Sequence, residues 1–112
     1  MRYDLYQIKA GTSAKADDAK VKMIMDFRGE NIGEIAKHGL AQGLFTRVAT
    51  LDVSCLDEAF QVGNIGPEEQ ITRYGPMASI SVGDVLIDED GTMAVVANFG
   101  FEIFGQNEMV AA

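Results

Sequence analysis

The side chains best able to do chemistry in this chain are four carboxylates in its last third, Asp84, Asp88, Glu89 and Asp90. Such oxygens suit hard cations, but their spacing lacks the alternating ligand positions of a calcium loop. Three adjacent acids followed by Gly91 fit a solvated hairpin tip that discourages edge pairing. His38, the only histidine, has no second histidine for a metal pair and no legible partner to orient it as a base. Cys55, the only cysteine, falls in the first turn of an expected helix, where the dipole favours a thiolate. A nucleophile also needs a neighbouring base, and without one the residue reads as a small half-buried hydrophobe. The glycines of "GLAQGLF" and "VGNIGP" match neither standard phosphate-cradling pattern. The expectation is therefore no catalytic residue, no metal site and no cofactor. Phe99, Phe101 and Phe104, grouped around Gly100, are expected to leave at least one ring exposed as a protein contact, and Asp88, Glu89 and Asp90 are the other candidates for protein interaction.

Composition narrows the setting. A chain of 112 residues is expected to form one domain over 1–112. Its 47% hydrophobic and 23% charged residues are ordinary for a globular protein. No apolar run approaches the roughly 20 residues that span a bilayer. "MRYDLYQIKAG" places charges and tyrosines where an export signal would be apolar, and a lone cysteine suits a reducing compartment, so the cytoplasm is expected. The net charge of −8 is uneven. Residues 1–30 hold six basic residues against five acids, and residues 31–112 hold three against twelve. The acidic part should be repelled by phosphate backbones and attracted to a basic protein surface, which disfavours direct nucleic-acid binding.

The elements that must position these groups follow from local pattern. "RYDLYQIK" (2–9) alternates, with Tyr3, Leu5 and Gln7 on one face and Tyr6 and Ile8 on the other, and predicts a strand. Residues 10–20 are small and polar and predict a mobile loop. Val21, Met23, Met25 and Phe27 alternate and favour a strand over 21–27, with Met23 and Met25 in the core. Asn31 and Glu34 form a capping box for a helix over 31–39 ended by Gly39. Residues 44–53 return to strand, and Ser54 to Gly63 repeat the cap-and-terminator logic of a second helix. Both prolines fall in 65–77, which is expected to be a connection with one short helical turn after Pro67. Residues 79–87 predict a strand bent at Gly83-Asp84, "DEDG" a hairpin, and 92–99 its return strand, broken at Gly100 before "FEIF". Residues 105–112 predict a flexible tail. The fold class is α+β, a small antiparallel sheet with two short helices on one face, or a barrel-like variant if the Gly83 bend curls the last strands.

In order and spacing, "YDLYQIK", "FRGENIGEIAKHGL", "VATLDVSCLDEAFQVGN" and "SISVGDVLIDEDGTMAVVANFGFEIF" resemble the YodL-like domain. That small domain, of unknown biochemical function, occurs in proteins of phages, plasmids and conjugative elements. The most specific piece is Ser79-x-Ser81-Val82-Gly83-Asp84-Val85 with Gly100-Phe101 after it. Residues 65–77 depart from the pattern, lacking its histidine- and aspartate-containing approach to the serine–valine motif. The resemblance implies a mobile-element accessory protein in the host cytoplasm. With the charge, it leads to a non-enzymatic protein that binds a host or element-encoded partner with a basic surface, such as a nucleic-acid-handling or defence protein. Two other readings stand beside it. One is an enzyme binding a metal or small ligand through Asp84, Asp88 and Asp90; the other is a homo-oligomer, a homodimer included, self-pairing through strands 92–104.

Overall fold

A strand at the start of the chain becomes the middle of the sheet. In a computed structural model describing residues 1–9 and 11–106, β1 (Arg2–Gln7) pairs antiparallel with β2 (Thr46–Asp52) on one side and β4 (Val85–Asp88) on the other. β3 (Ile71–Arg73) lies outside β2, and β5 (Thr92–Val96) and β6 (Phe101–Gln106) continue beyond β4. The order is β3-β2-β1-β4-β5-β6, and every pairing is antiparallel. The sheet is open, with β3 and β6 as its edges, so the barrel variant does not form.

The alternation expected of β1 is the alternation that builds both cores. Leu5 aligns with Ala49 and Leu86, and Leu86 with Ala94, forming an apolar row across four strands. That face, with Tyr3, Leu51 and Val96, is covered by Ala59 and Val62 of α3 (Leu56–Ile65). Val85, Val95 and Ile8 face the other way, against Ala16 and Met23 of α1 (Ala14–Met25) and Ile32 and Ala36 of α2 (Ile32–Ala41). Each fully buried Leu or Met in these clusters contributes about 1.5–3 kcal/mol. The helices thus lie on both faces of the sheet, where two on one face were expected.

The third helix, α1, takes up residues 14–20 of the expected loop and 21–25 of the expected strand. Ser13 caps it, its hydroxyl accepting from the Ala16 N–H at 3.1 Å. Ala16, Ala19, Lys20 and Met23 make the inward stripe at helical spacing. The period-two pattern at 21–27 was a coincidence of apolar residues on two sides of a helix. Met23 is buried as expected, whereas Met25 is exposed.

The expected helix terminators moved as well. Gly39 and Gly63 lie inside α2 and α3, where a Cβ would crowd the Phe45 ring and the Ile80 side chain respectively. Gly43 (φ +73°) and Gly66 (φ +100°) follow the helices instead, in the conformation glycine tolerates best. One 3₁₀ turn, Glu68–Gln70, follows Pro67. The "DEDG" hairpin forms as expected, with Gly91 at φ +84°. The strand expected over 79–87 narrows to β4, because the backbone turns at Gly83 (φ +94°). Residues 105 and 106 belong to β6, not to a tail, and 107–112 lie outside the described residues.

Candidate functional site

The six residues expected as protein-interaction candidates lie in different parts of the molecule. Asp88, Glu89 and Asp90 occupy the β4–β5 turn, where two of the acids serve the backbone. Asp88 Oδ1 accepts from the N–H groups of Asp90 and Thr92 at 2.9 and 3.0 Å, and Glu89 Oε1 accepts from the Arg2 N–H at 2.6 Å. Phe99 sits in the β5–β6 turn at the opposite end of β5, about 15 Å away at the usual strand rise. Phe101 points to the α3 face and meets the Phe60 ring edge-on, centroids 6.4 Å apart. Phe104 points to the other face and packs against α2 at Gly33. Alternation along β6 separates the last two, and only Phe99 is free of the core, 87% exposed.

The carboxylates expected of a metal or small-ligand enzyme are parted too. Asp84 is buried before the first residue of β4, while Asp88 ends that strand and Asp90 lies in the turn beyond it. Among the described residues no three His, Cys, Asp or Glu side chains are placed to hold a metal ion. His38 lines an open groove between α1 and α2 with Lys15, Lys22 and Glu34. Cys55 is the exposed N-cap of α3. Glu58 completes that helix start, its Oε1 accepting from the Ser54 N–H at 3.0 Å.

A different surface emerges at the end of α1. Asn98 Nδ2 donates to the carbonyls of Ile24 and Asp26 at 3.0 and 3.3 Å. These bonds tie the β5–β6 turn to the helix and bring Phe99 to the same end of the molecule as Ile24, Met25 and Phe27. Met25 and Phe27 are 59% and 60% exposed, and Val21, one helical turn before Met25, is 57% exposed. Isolated exposed apolar residues need no explanation, but Val21, Ile24, Met25 and Phe27 follow one another at the end of α1, and Phe99 lies in the turn that Asn98 fastens there, a grouping of the kind that marks interaction sites. Beside it, on the α3 side of the turn, an apolar cleft of about 490 Å³ is lined by Phe60, Val82, Val96 and Phe101. The spacing Val21, Ile24, Met25 carries the helical signal for this surface, hidden when 21–27 is read as a strand.

Charge is distributed across the two layers. α1 brings Lys15, Lys20 and Lys22 to one face of the sheet, against Asp17 and Asp18 of the same helix. On the other face, α3 and the turn after it bring Asp57, Glu58, Glu68 and Glu69, with no basic residue between Arg47 and Arg73. Arg73 forms a two-pronged ion pair with Glu68 and holds that carboxyl below its ordinary range.

The deepest polar feature is Asp84, 3% exposed beside Gln7, which is 5% exposed. Its Oδ2 accepts from the Ser81 N–H at 3.0 Å and from Gln7 Nε2 at 3.1 Å. Burial pushes the carboxyl up to about 6, against the opposing pull of those bonds and of Lys20. The expectation that Asp84 satisfies nearby backbone N–H groups is met at Ser81.

Comparison of the chain with protein-family models, with curated proteins and with solved structures found no match. Among the described residues no helix is long and apolar enough to cross a membrane.

Proposed function

We propose that this chain is a YodL-like accessory protein of a phage or plasmid that works in the host cytoplasm by docking on another protein, without bond-making chemistry. The observation that carries this reading is the apolar surface at the end of α1, where Val21, Ile24, Met25, Phe27 and Phe99 are exposed together. Aromatic side chains at such a surface supply large, specific contact area. The acidic α3 side adds a preference for a partner with a basic surface, of the kind nucleic-acid-handling and defence proteins use to hold their substrate. The motif Ser79 to Val85 supports the YodL-like assignment, and Asp84 within it has a structural role in this fold.

The test is affinity capture from a host lysate with the wild-type chain and a Phe27→Ser/Phe99→Ser variant, compared by quantitative mass spectrometry. A protein enriched by the wild type and lost by at least tenfold with the variant is expected, its binding weakened by added salt. Identical capture by both chains would refute docking through this surface, and salt-independent binding would remove the electrostatic part.

A second reading rests on β6, an edge strand of six residues whose Ile103 is 56% exposed and which has no outer partner among the described residues. Such an edge is a template for strand pairing with a second copy. Sedimentation showing a concentration-dependent dimer, lost on Ile103→Lys, is its expected signature.

A further inference from the structure

Gln7 and Asp84 are the buried polar side chains among the described residues, and they lie side by side. Both line a cleft of about 420 Å³ between the end of β1, α1 and residues 76–81. Lys9 and Lys20 are the other charged residues that line it, with Ser79 and Ser81 beside them. The Lys20 ammonium reaches the Ile8 carbonyl at 3.4 Å, which holds it at the cleft. Two cations against one acid give this cleft a positive balance in a chain of net charge −8. The α1–α2 groove balances Lys15 and Lys22 against Asp18 and Glu34, and the cleft beside Phe60 carries only Asp57.

We propose that this cleft binds a small oxyanion, a carboxylate or a phosphate-type group, between the Lys9 and Lys20 ammonium groups and the Ser79 and Ser81 hydroxyls. Asp84 makes the binding proton-coupled. Ionised, it repels the anion; neutral, it no longer does and its acid hydrogen becomes a donor. The groups facing it that carry charge are Lys20 from α1 and Lys9 from the segment after β1; Gln7, Ile8, Pro76, Met77 and Ala78 carry none. The site shares no residue with the apolar surface at the end of α1, so it stands or falls independently of the docking reading.

The test is a titration of the full chain, followed by ¹H–¹⁵N spectra, with sodium sulfate in one arm and sodium formate in the other, at constant ionic strength. Both probes keep their charge between about pH 5.5 and 7.5. The expected result is shifts clustered at residues 7–9, 20 and 78–84, with affinity up to about 25-fold tighter at the lower pH, the ratio of neutral Asp84 for a carboxyl titrating near 6. Response to sulfate alone assigns the phosphate-type group, and response to formate the carboxylate. Asp84→Asn should bind with a flat pH profile. A Lys9→Gln/Lys20→Gln variant, altered only at the rim, should lose binding while its spectrum stays native. The proposal is overturned by no response to either probe, by equal affinity at the two pH values, by shifts spread equally over Lys15, Lys22 and Arg28, or by undiminished binding in the lysine variant.

Discussion

The Gln7 side chain donates to Asp84 Oδ2 at 3.1 Å while exchanging two further bonds with the backbone of Ala78. Its Nε2 donates to the Ala78 carbonyl at 2.9 Å, and its Oε1 accepts from the Ala78 N–H at 3.1 Å. One amide thus imitates a strand pairing and fastens the segment before Gly83 to the end of the central strand. Gln7→Leu keeps the volume but leaves Ala78 and the buried carboxylate short of partners. It should lower unfolding free energy by about 1–3 kcal/mol, measured by urea denaturation. A loss below about 0.5 kcal/mol, the range of neutral surface changes, would contradict the clamp.

Asp84 should also give the fold a distinctive pH response. Its carboxyl titrates near 6 when folded, above the roughly 3.9 of an unfolded aspartate, so the folded state binds the extra proton between those values. Its contribution is fully present below about pH 4 and is lost as the pH rises through about 6. Relative to Asp84→Asn, wild-type stability should fall by about 2–3 kcal/mol across that window. Parallel urea curves for the two proteins from pH 4 to about 7.5 decide the point, and a constant difference would show that the carboxyl is not perturbed.

The two sides of α1 should behave differently. Met23 is fully buried under the sheet, and Met23→Ala should cost about 2–5 kcal/mol. Met25→Ala and Phe99→Ser remove exposed apolar surface and should change stability by no more than about 0.5 kcal/mol. Thermal melts of the three variants test the helical assignment directly, because a strand over 21–27 would bury Met23 and Met25 alike.

Gly33 offers a test of close packing. A Cβ there would stand 2.9 Å from the Phe104 Cβ, an atom fixed to the β6 backbone. Glycine to alanine in a helix ordinarily gains up to about 1 kcal/mol. Here overpacking of about 1–3 kcal/mol should outweigh it, so Gly33→Ala should lower the melting temperature. A raised melting temperature would mean that β6 is free to move away from α2.

Much of this molecule is written in short-range pattern. The alternation of Tyr3, Leu5 and Gln7 against Tyr6 and Ile8, the Asp-Gly turn and the Gly83 bend each depend on a few adjacent residues, and all formed where the pattern placed them. The Ser13 cap was equally local but was hidden by a loop-like composition. Gly39 and Gly63 show the limit of such reasoning, since a glycine that ends a helix and one that admits a neighbouring chain look alike in sequence.

The sequence by itself determined an α+β chain with an antiparallel sheet, its Asp-Gly hairpin and an acidic C-terminal part, because strand periodicity, turn chemistry and charge are properties of neighbouring residues. Only the tertiary structure decided which face each helix covers, that the acids and phenylalanines part company, and that Phe99 joins the end of α1. Those outcomes hang on contacts such as Asn98 to Ile24, made across 74 residues of chain. No local pattern encodes them, since they arise only when both faces of the sheet must be buried at once.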